Sequence, residues 1–454
     1  MTVQQIFSVC VLVGIFILII KKILDARIAF TFGGIILLLV SKNFDKLLDL
    51  IKISAVSLKI SAIIVFCAFG FAEILKTDKY PAETLSLLKI NIRGGQKKFN
   101  FIPITIALIA TFIGSFTLLS ANASCGIVAP FFFPILIGMG LSPQVASAAI
   151  IIGAWGTIMH PGDINALMID LVHKNCKMDL VNVMRDHLIP TITAIVVMVV
   201  TLSVIGRRKN SVSVASNNVN VDTIEIKNGG KFKIRAIVSF LPFILLILYN
   251  FCSFFIVCSN EERPKYAKIA VVASLLLCSL LAIILARYNT RRRMCLGFIK
   301  GGIAGIFDII ILMITSMVFI NSFLVCFGKN DITALINGLG VYQIIAAVVI
   351  TAILTILSGS GDAIITSCVQ IFVPSIIASG IPASVPISSM IWFAGEIGRC
   401  ASPVAAATRT VAKEVNKLVP EESKVEADQI ASKAFFPVIL GLITSELILY
   451  FFHK

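Results

Sequence analysis

The sequence is short of charge. Asp, Glu, Lys and Arg make up 14% of its 454 residues, against about 25% in a soluble domain. Hydrophobic residues make up 58%, and mean hydropathy is +0.98. No single soluble core buries that much apolar surface, so the composition is that of an integral membrane protein. CxxC pairs are absent, and the eleven cysteines lie mostly inside apolar runs, Cys10, Cys67, Cys278, Cys326 and Cys368 among them. They read as small hydrophobes, not as a zinc or disulfide framework. HExxH and GxSxG are missing too, and the four histidines are scattered. That argues against a membrane-embedded protease or lipid-modifying enzyme, and the chain is read as a non-enzyme.

The basic excess is large, with 39 Lys and Arg against 24 acids. The basic residues lack the aromatic interleaving that binds bases, so nucleic acid is rejected as a partner. They sit between hydrophobic runs, as in cytoplasmic loops facing anionic lipid. The segment 207–235 holds seven basic residues and two acids; 287–300 holds five basic residues, 89–98 holds four, and neither has an acid. All three are read as cytoplasmic, and 207–235 as a linker. The loop 259–268 carries three basic and two acidic residues and is read as external. The first apolar run has no basic stretch before it and no cleavage site, so it is read as a retained span.

A helix needs about 20 apolar residues to cross a bilayer core. That criterion gives spans near 3–20, 27–40, 55–76, 187–206, 236–258, 268–286, 303–327 and 432–452. Two longer apolar blocks, about 100–172 and 341–411, are broken by Gly, Ser, Asn, Pro and charge. They match each other. A shift of 240 places Ser120 on Ser360, Asn122 on Asp362, Pro134 on Pro374 and Gly140 on Gly380. A shift of 242 places Gly156 on Gly398 and Pro161 on Pro403. Order and spacing favour duplication.

Each block reads as a hairpin followed by a broken helix. The hairpins cover about 100–141 and 341–381, and the broken helices about 143–172 and 384–411. The cytoplasmic linker makes the halves 1–206 and 236–454 inverted. The expected fold is an all-α polytopic membrane protein of two inverted repeats, each with a re-entrant hairpin and a broken transmembrane helix. Such repeats are the architecture of secondary transporters. A channel is the weaker reading, since channels build pores from repeated subunits.

Non-helical backbone survives in a membrane only where it is buried or lines a wet cavity. The hairpin tips are Ser120–Ser124 and Ser358-Gly359-Ser360-Gly361-Asp362. Their small residues let a ligand reach the backbone, and the half-helix after each tip offers free N–H groups to an anion. Close helix packing would also explain Gly and Ser, but not Asp362. Ser120, Asn122, Ser358, Gly359, Ser360 and Gly361 are therefore substrate-site candidates. In the second broken helix, Arg399 offers a fork that matches a carboxylate. It is equally placed for an ion pair with Glu396, three residues earlier. Asp163, Asp362, Glu396 and His160 are candidates for the coupling ion or proton. The expected coupling ion is H⁺ or Na⁺, with no other cofactor or metal beyond a Na⁺ at the tips. Glu73, Asp308 and Glu446 also interrupt apolar runs, and helix packing explains them as well as function does.

At these residues the chain resembles the anaerobic four-carbon-dicarboxylate carriers of the Dcu-C type, within the ion transporter superfamily. The resemblance is carried by 66–75, 134–142, 161–163, LSGSGDAIITSCVQIFVPSIIASGI (357–381) and IGRCASPVAAA (397–407). It implies transport of succinate, fumarate or malate across a bacterial inner membrane by symport, exchange or efflux. It implies site roles for Ser358, Gly359, Ser360, Gly361, Gly398, Arg399, Ser402 and Pro403, and for Ser120, Gly162 and Asp163. Asp362, Glu396 and the His160-Pro161 pair depart from that pattern. The two extra acids repel a dianion unless protonated or paired with Na⁺. A carrier for another organic anion or an amino acid therefore stays open. So do the direction of flux and a homodimeric state.

Overall fold

A computed structural model describes residues 2–21, 23–77, 101–118, 120–159, 180–207, 241–249, 262–328, 342–361 and 385–451, with isolated positions between these stretches. Among the described residues there is no strand. Among the same residues, seven helices are long and apolar enough to cross a membrane. The chain is an all-α, multi-pass protein.

The first helix, α1 (Val3–Ile20), starts at Thr2, whose side chain and Gln5 form a reciprocal cap. Next, α2 (Ala26–Val40) is capped by Asp25. The span expected at 55–76 is cut: α3 (Leu47–Ser57) ends at Leu58, and α4 (Lys59–Thr77) begins afresh. Leu58 leaves the helical conformation between the polar Ser57 and Lys59.

Two antiparallel helices follow, α5 (Phe101–Leu118) and α6 (Ala121–Gly138). Ser124 Oγ donates to the Thr111 carbonyl at 3.0 Å and ties the arms together. Ser142 caps α7 (Pro143–Ile151), and Pro143 stands in its first turn. The chain then turns through 152–155 into a 3₁₀ turn, Gly156–Met159. His160, Pro161, Gly162 and Asp163 lie outside the described residues, as does the remainder of the expected broken helix to 172.

The first half closes with α8 (Leu180–Arg207), and the second half contains α9 (Glu262–Leu285) and α10 (Tyr288–Gly305). The expected span at 303–327 is the C-terminal part of a longer rod. α10 runs through a π turn at Ile306–Ile310 into α11 (Ile311–Phe327). The basic segment 287–300, expected as a loop, is helical and extends that rod. Of the expected span 236–258, residues 241–249 are described and helical. Then come α12 (Gln343–Ser358), α13 (Val385–Gly398), α14 (Ala406–Asn416) and α15 (Ala427–Phe451).

Phe16, Phe30 and Phe319 join α1, α2 and α11, with Phe30 and Phe319 stacked at 5.4 Å. Gln4 Nε2 donates to the Cys326 carbonyl at 3.0 Å, so the start of α1 meets the end of α11. The opposite ends of these helices, with the end of α4, carry the charged residues that α14 reaches.

Candidate functional site

Proline and backbone geometry create the site. α13 stops at Gly398, tightens into a 3₁₀ turn over Arg399–Ala401, and becomes extended at Ser402. Pro403 disfavours a helical residue before it and supplies no N–H. Ser402 recovers part of the lost bonding: its Oγ accepts from Val404 N at 3.2 Å, and its carbonyl accepts from Thr408 Oγ1 at 2.8 Å. The break leaves Arg399 buried inside the helix assembly, only 7% exposed.

Arg399 Nη2 lies 2.5 Å from Glu396 Oε2, and Glu396 is fully buried. The expected intrahelical pair is therefore formed. Two further partners of Arg399 come from the first half of the chain. Nη2 also donates to Thr157 Oγ1 at 2.8 Å and to the Ala154 carbonyl at 3.0 Å. Thr157 Oγ1 in turn donates to Glu396 Oε2 at 2.5 Å. The turn that presents Ala154 and Thr157 is fixed by Trp155, whose Nε1 donates to the Ile152 carbonyl at 2.8 Å. It lies tight on α5: a Cβ at Gly156 would fall 2.0 Å from the Phe112 carbonyl oxygen.

The second tip closes on the same arginine. Gly359 caps α12 with φ +69°, and a Cβ there would sit 2.4 Å from the Ala405 nitrogen. Ser358 is buried, and its Oγ accepts from Ser360 N at 3.2 Å. Gly361 stands beside Arg399, where a Cβ would lie 2.9 Å from Cδ. Ser360 Oγ is buried with no hydrogen-bond partner among the described residues. Asp362 lies outside those residues. Gly398 rests on α12, with Ala352 and Ile356 as neighbours.

The first tip approaches through α6. Ser120 caps α6 by accepting from Ala123 N at 3.2 Å. Ser120 and Asn122 are half-buried and make no hydrogen bond to Arg399 among the described residues. One turn further on, the buried Cys125 lies near Arg399 and Cys400.

Several participants carry no role in the sequence reading. Thr157 and Ala154 belong to a break that the proline marks, but their partners are 242 and 245 positions away. His187 is the other. It is fully buried, with Nε2 2.6 Å from Ser389 Oγ and Nδ1 3.4 Å from the Ile158 carbonyl. Its only signal is a histidine heading an apolar run. His187 and Ser389 therefore form a second polar link between α8, the first break and α13.

Two of the acids left over by the sequence reading belong to a charged strap. In α14, Arg409 pairs with Asp25 at 3.5 Å and Lys413 pairs with Asp308. Glu414 pairs with Lys76 and, at 2.9 Å, with Lys417; Lys76 also reaches Glu73 at 3.0 Å. Arg27, Asp308, Arg409 and Lys413 line a pocket of about 290 Å³ there. Burial alone would raise the pKa of Asp25. The bonds from Arg27 and the charges of Arg409 and Arg27 outweigh it and hold that carboxyl below its usual value. Burial works against the charge on Lys417, and Glu414 and Glu73 overcome it and hold the ammonium above its usual value.

The fold is that of a known transporter. The chain is similar to the Alcanivorax borkumensis YdaH transporter, described as having an unusual topology, at a TM-score of 0.52 and 13% identity. The match covers 94% of this chain and 98% of that one. No family model matches the sequence, and neither does any curated protein.

Proposed function

We propose that the chain is a secondary active carrier of small carboxylates. The observation that carries this reading is the buried Arg399–Glu396 pair, clasped by Thr157 and Ala154 from the other half of the chain. A buried guanidinium at a junction of broken helices is costly unless paired, and a substrate carboxylate is a second partner of the right shape. The likeness to a solved transporter over nearly the whole chain supports the carrier class.

The pair also supplies a coupling scheme. With Glu396 ionised, its carboxylate holds Arg399. A proton taken up by Glu396 neutralises it and leaves the guanidinium to a substrate carboxylate. Release of substrate lets Glu396 lose the proton and pair again. One proton then accompanies each carboxylate bound, with local charge unchanged. This scheme favours H⁺ over Na⁺. Ser360 Oγ, the Gly361 backbone and the start of α6 complete the substrate's surroundings.

The finer reading follows the Dcu-C resemblance: four-carbon dicarboxylates, carried across a bacterial inner membrane. The two 3₁₀ turns, Gly156–Met159 and Arg399–Ala401, fall at matched positions under the shift of 242. That supports duplicated halves, which we take to be inverted, with re-entrant hairpins and a cytoplasmic 207–235. One observation favours a second reading. Arg399 and Glu396 together present both signs of charge, which suits the carboxylate and ammonium of an amino acid. Uptake of labelled dicarboxylates and amino acids into proteoliposomes, under imposed H⁺ or Na⁺ gradients, decides between them. Failure to accumulate either class would reject the carrier reading.

A further inference from the structure

The third acid that the sequence leaves unexplained is Glu446. It lies on α15 and is 9% exposed, and both its carboxyl oxygens are buried with no hydrogen-bond partner among the described residues. The positions one turn away on its own helix are Leu442, Ile443, Leu449 and Tyr450, none of them basic. Glu446 lines a groove of about 760 Å³ between α12 and α15. Met390 of α13 lies in the floor, and the rim residues Val349, Ile353 and Leu447 are about half-exposed. Along α12 the lining runs from Ile345 to Leu357, a length of about 18 Å. Among the described residues no other charged side chain lines it.

An ionised carboxylate only accepts, and burial without a donor is costly. Protonation leaves an O–H and a carbonyl still unmatched. A lipid tail would fill the apolar length and leave the carboxyl as it is. A second copy docked through the same face would bring Glu446 against Glu446, with no cation between them. A cation attached to an apolar body satisfies the whole groove, and the volume is that of an ordinary small-molecule site.

We propose that the groove between α12 and α15 binds an apolar organic cation, whose charge pairs with Glu446 while its hydrocarbon part lies along Val349, Ile353 and Leu447. The site is separate from the Arg399 centre. The two share α12, whose Ala352 and Ile356 line the groove and also support Gly398.

A matched pair of probes tests this. Tetraphenylphosphonium and tetraphenylborate share a shape and differ in the sign of charge. Each is titrated against the full-length protein in nanodiscs of uncharged lipid, with empty nanodiscs as the blank. The phosphonium binds saturably, one per chain, and at least about tenfold more tightly than the borate. Glu446→Gln removes that preference. Ile353→Trp fills the groove and weakens phosphonium binding even if Glu446→Gln does not fold. Equal affinity for the two ions, unchanged affinity in Glu446→Gln, or partition no greater than in empty nanodiscs would overturn the proposal. So would a cross-link between Ile353→Cys positions of two copies that persists with the phosphonium in excess.

Discussion

Thr157 Oγ1 stands between Glu396 and Arg399, donating to the carboxylate at 2.5 Å and accepting from the guanidinium at 2.8 Å. One hydroxyl from the first half of the chain therefore holds both charges of the second. Thr157→Val keeps the shape and removes that hydroxyl. A buried charged pair short of one bond loses about 1–3 kcal/mol. Thermal unfolding in detergent will show that drop, and uptake will fall with it. Thr157→Ser restores both.

Gly359 and Gly140 both have positive φ, +69° and +89°. They differ in surroundings. A Cβ at Gly140 meets nothing within 4 Å, whereas at Gly359 it meets the Ala405 nitrogen. Gly140→Ala therefore costs only the left-handed strain, about 1–2 kcal/mol. Gly359→Ala adds a backbone clash and displaces the tip from Arg399. Folded yield and uptake will fall together in Gly359→Ala, while Gly140→Ala keeps near-normal transport.

His187 and Ser389 satisfy each other in a fully buried setting. His187→Ala leaves Ser389 Oγ and the Ile158 carbonyl without that partner, at about 1–3 kcal/mol for each buried group orphaned. It also leaves a cavity beside Trp392 and Phe393, which pack edge-on against the ring. The variant will unfold at lower temperature. Because Ile158 adjoins Thr157, substrate affinity will weaken as well, measured as a rise in the KM of uptake.

The charged strap predicts an acid limb. Asp25 is held below its usual 3.8 in the folded chain. Its contribution to stability is complete above that pH and is lost as pH falls through the folded value. Its side chain is 35% exposed, so the effect is at most about 1 kcal/mol. Asp25→Asn lowers stability at pH 6 and removes this contribution to the acid loss. Unfolding curves recorded from pH 6 to pH 3 in both proteins test that difference.

The tips and breaks were legible because glycine, serine and proline interrupt apolar runs for local backbone reasons. Ser120 capping α6, Gly359 in the left-handed region and Pro403 ending a 3₁₀ turn all follow from residue type. The Glu396–Arg399 pair was legible as a three-residue spacing on one helix. What completes the pair was not. Thr157, Ala154 and His187 reach partners about 200 positions or more away, and a single sequence carries no sign of such pairings. His160 is a proton candidate because its charge changes near neutral pH, but it lies outside the described residues, and His187 carries the contacts that are seen. The break at Leu58 was missed because apolar residues continue across it, and hydropathy does not register one lapsed turn.

The central claim is that Arg399 binds the substrate carboxylate once Glu396 is protonated. Counterflow in proteoliposomes tests it most directly: unlabelled dicarboxylate inside, labelled dicarboxylate outside, across a range of pH. The wild type will show trans-stimulated uptake that rises as pH falls. Glu396→Gln will exchange at a rate independent of pH, and Arg399→Ala will insert normally and not exchange. Normal counterflow by Arg399→Ala, with wild-type pH dependence in Glu396→Gln, would contradict the account.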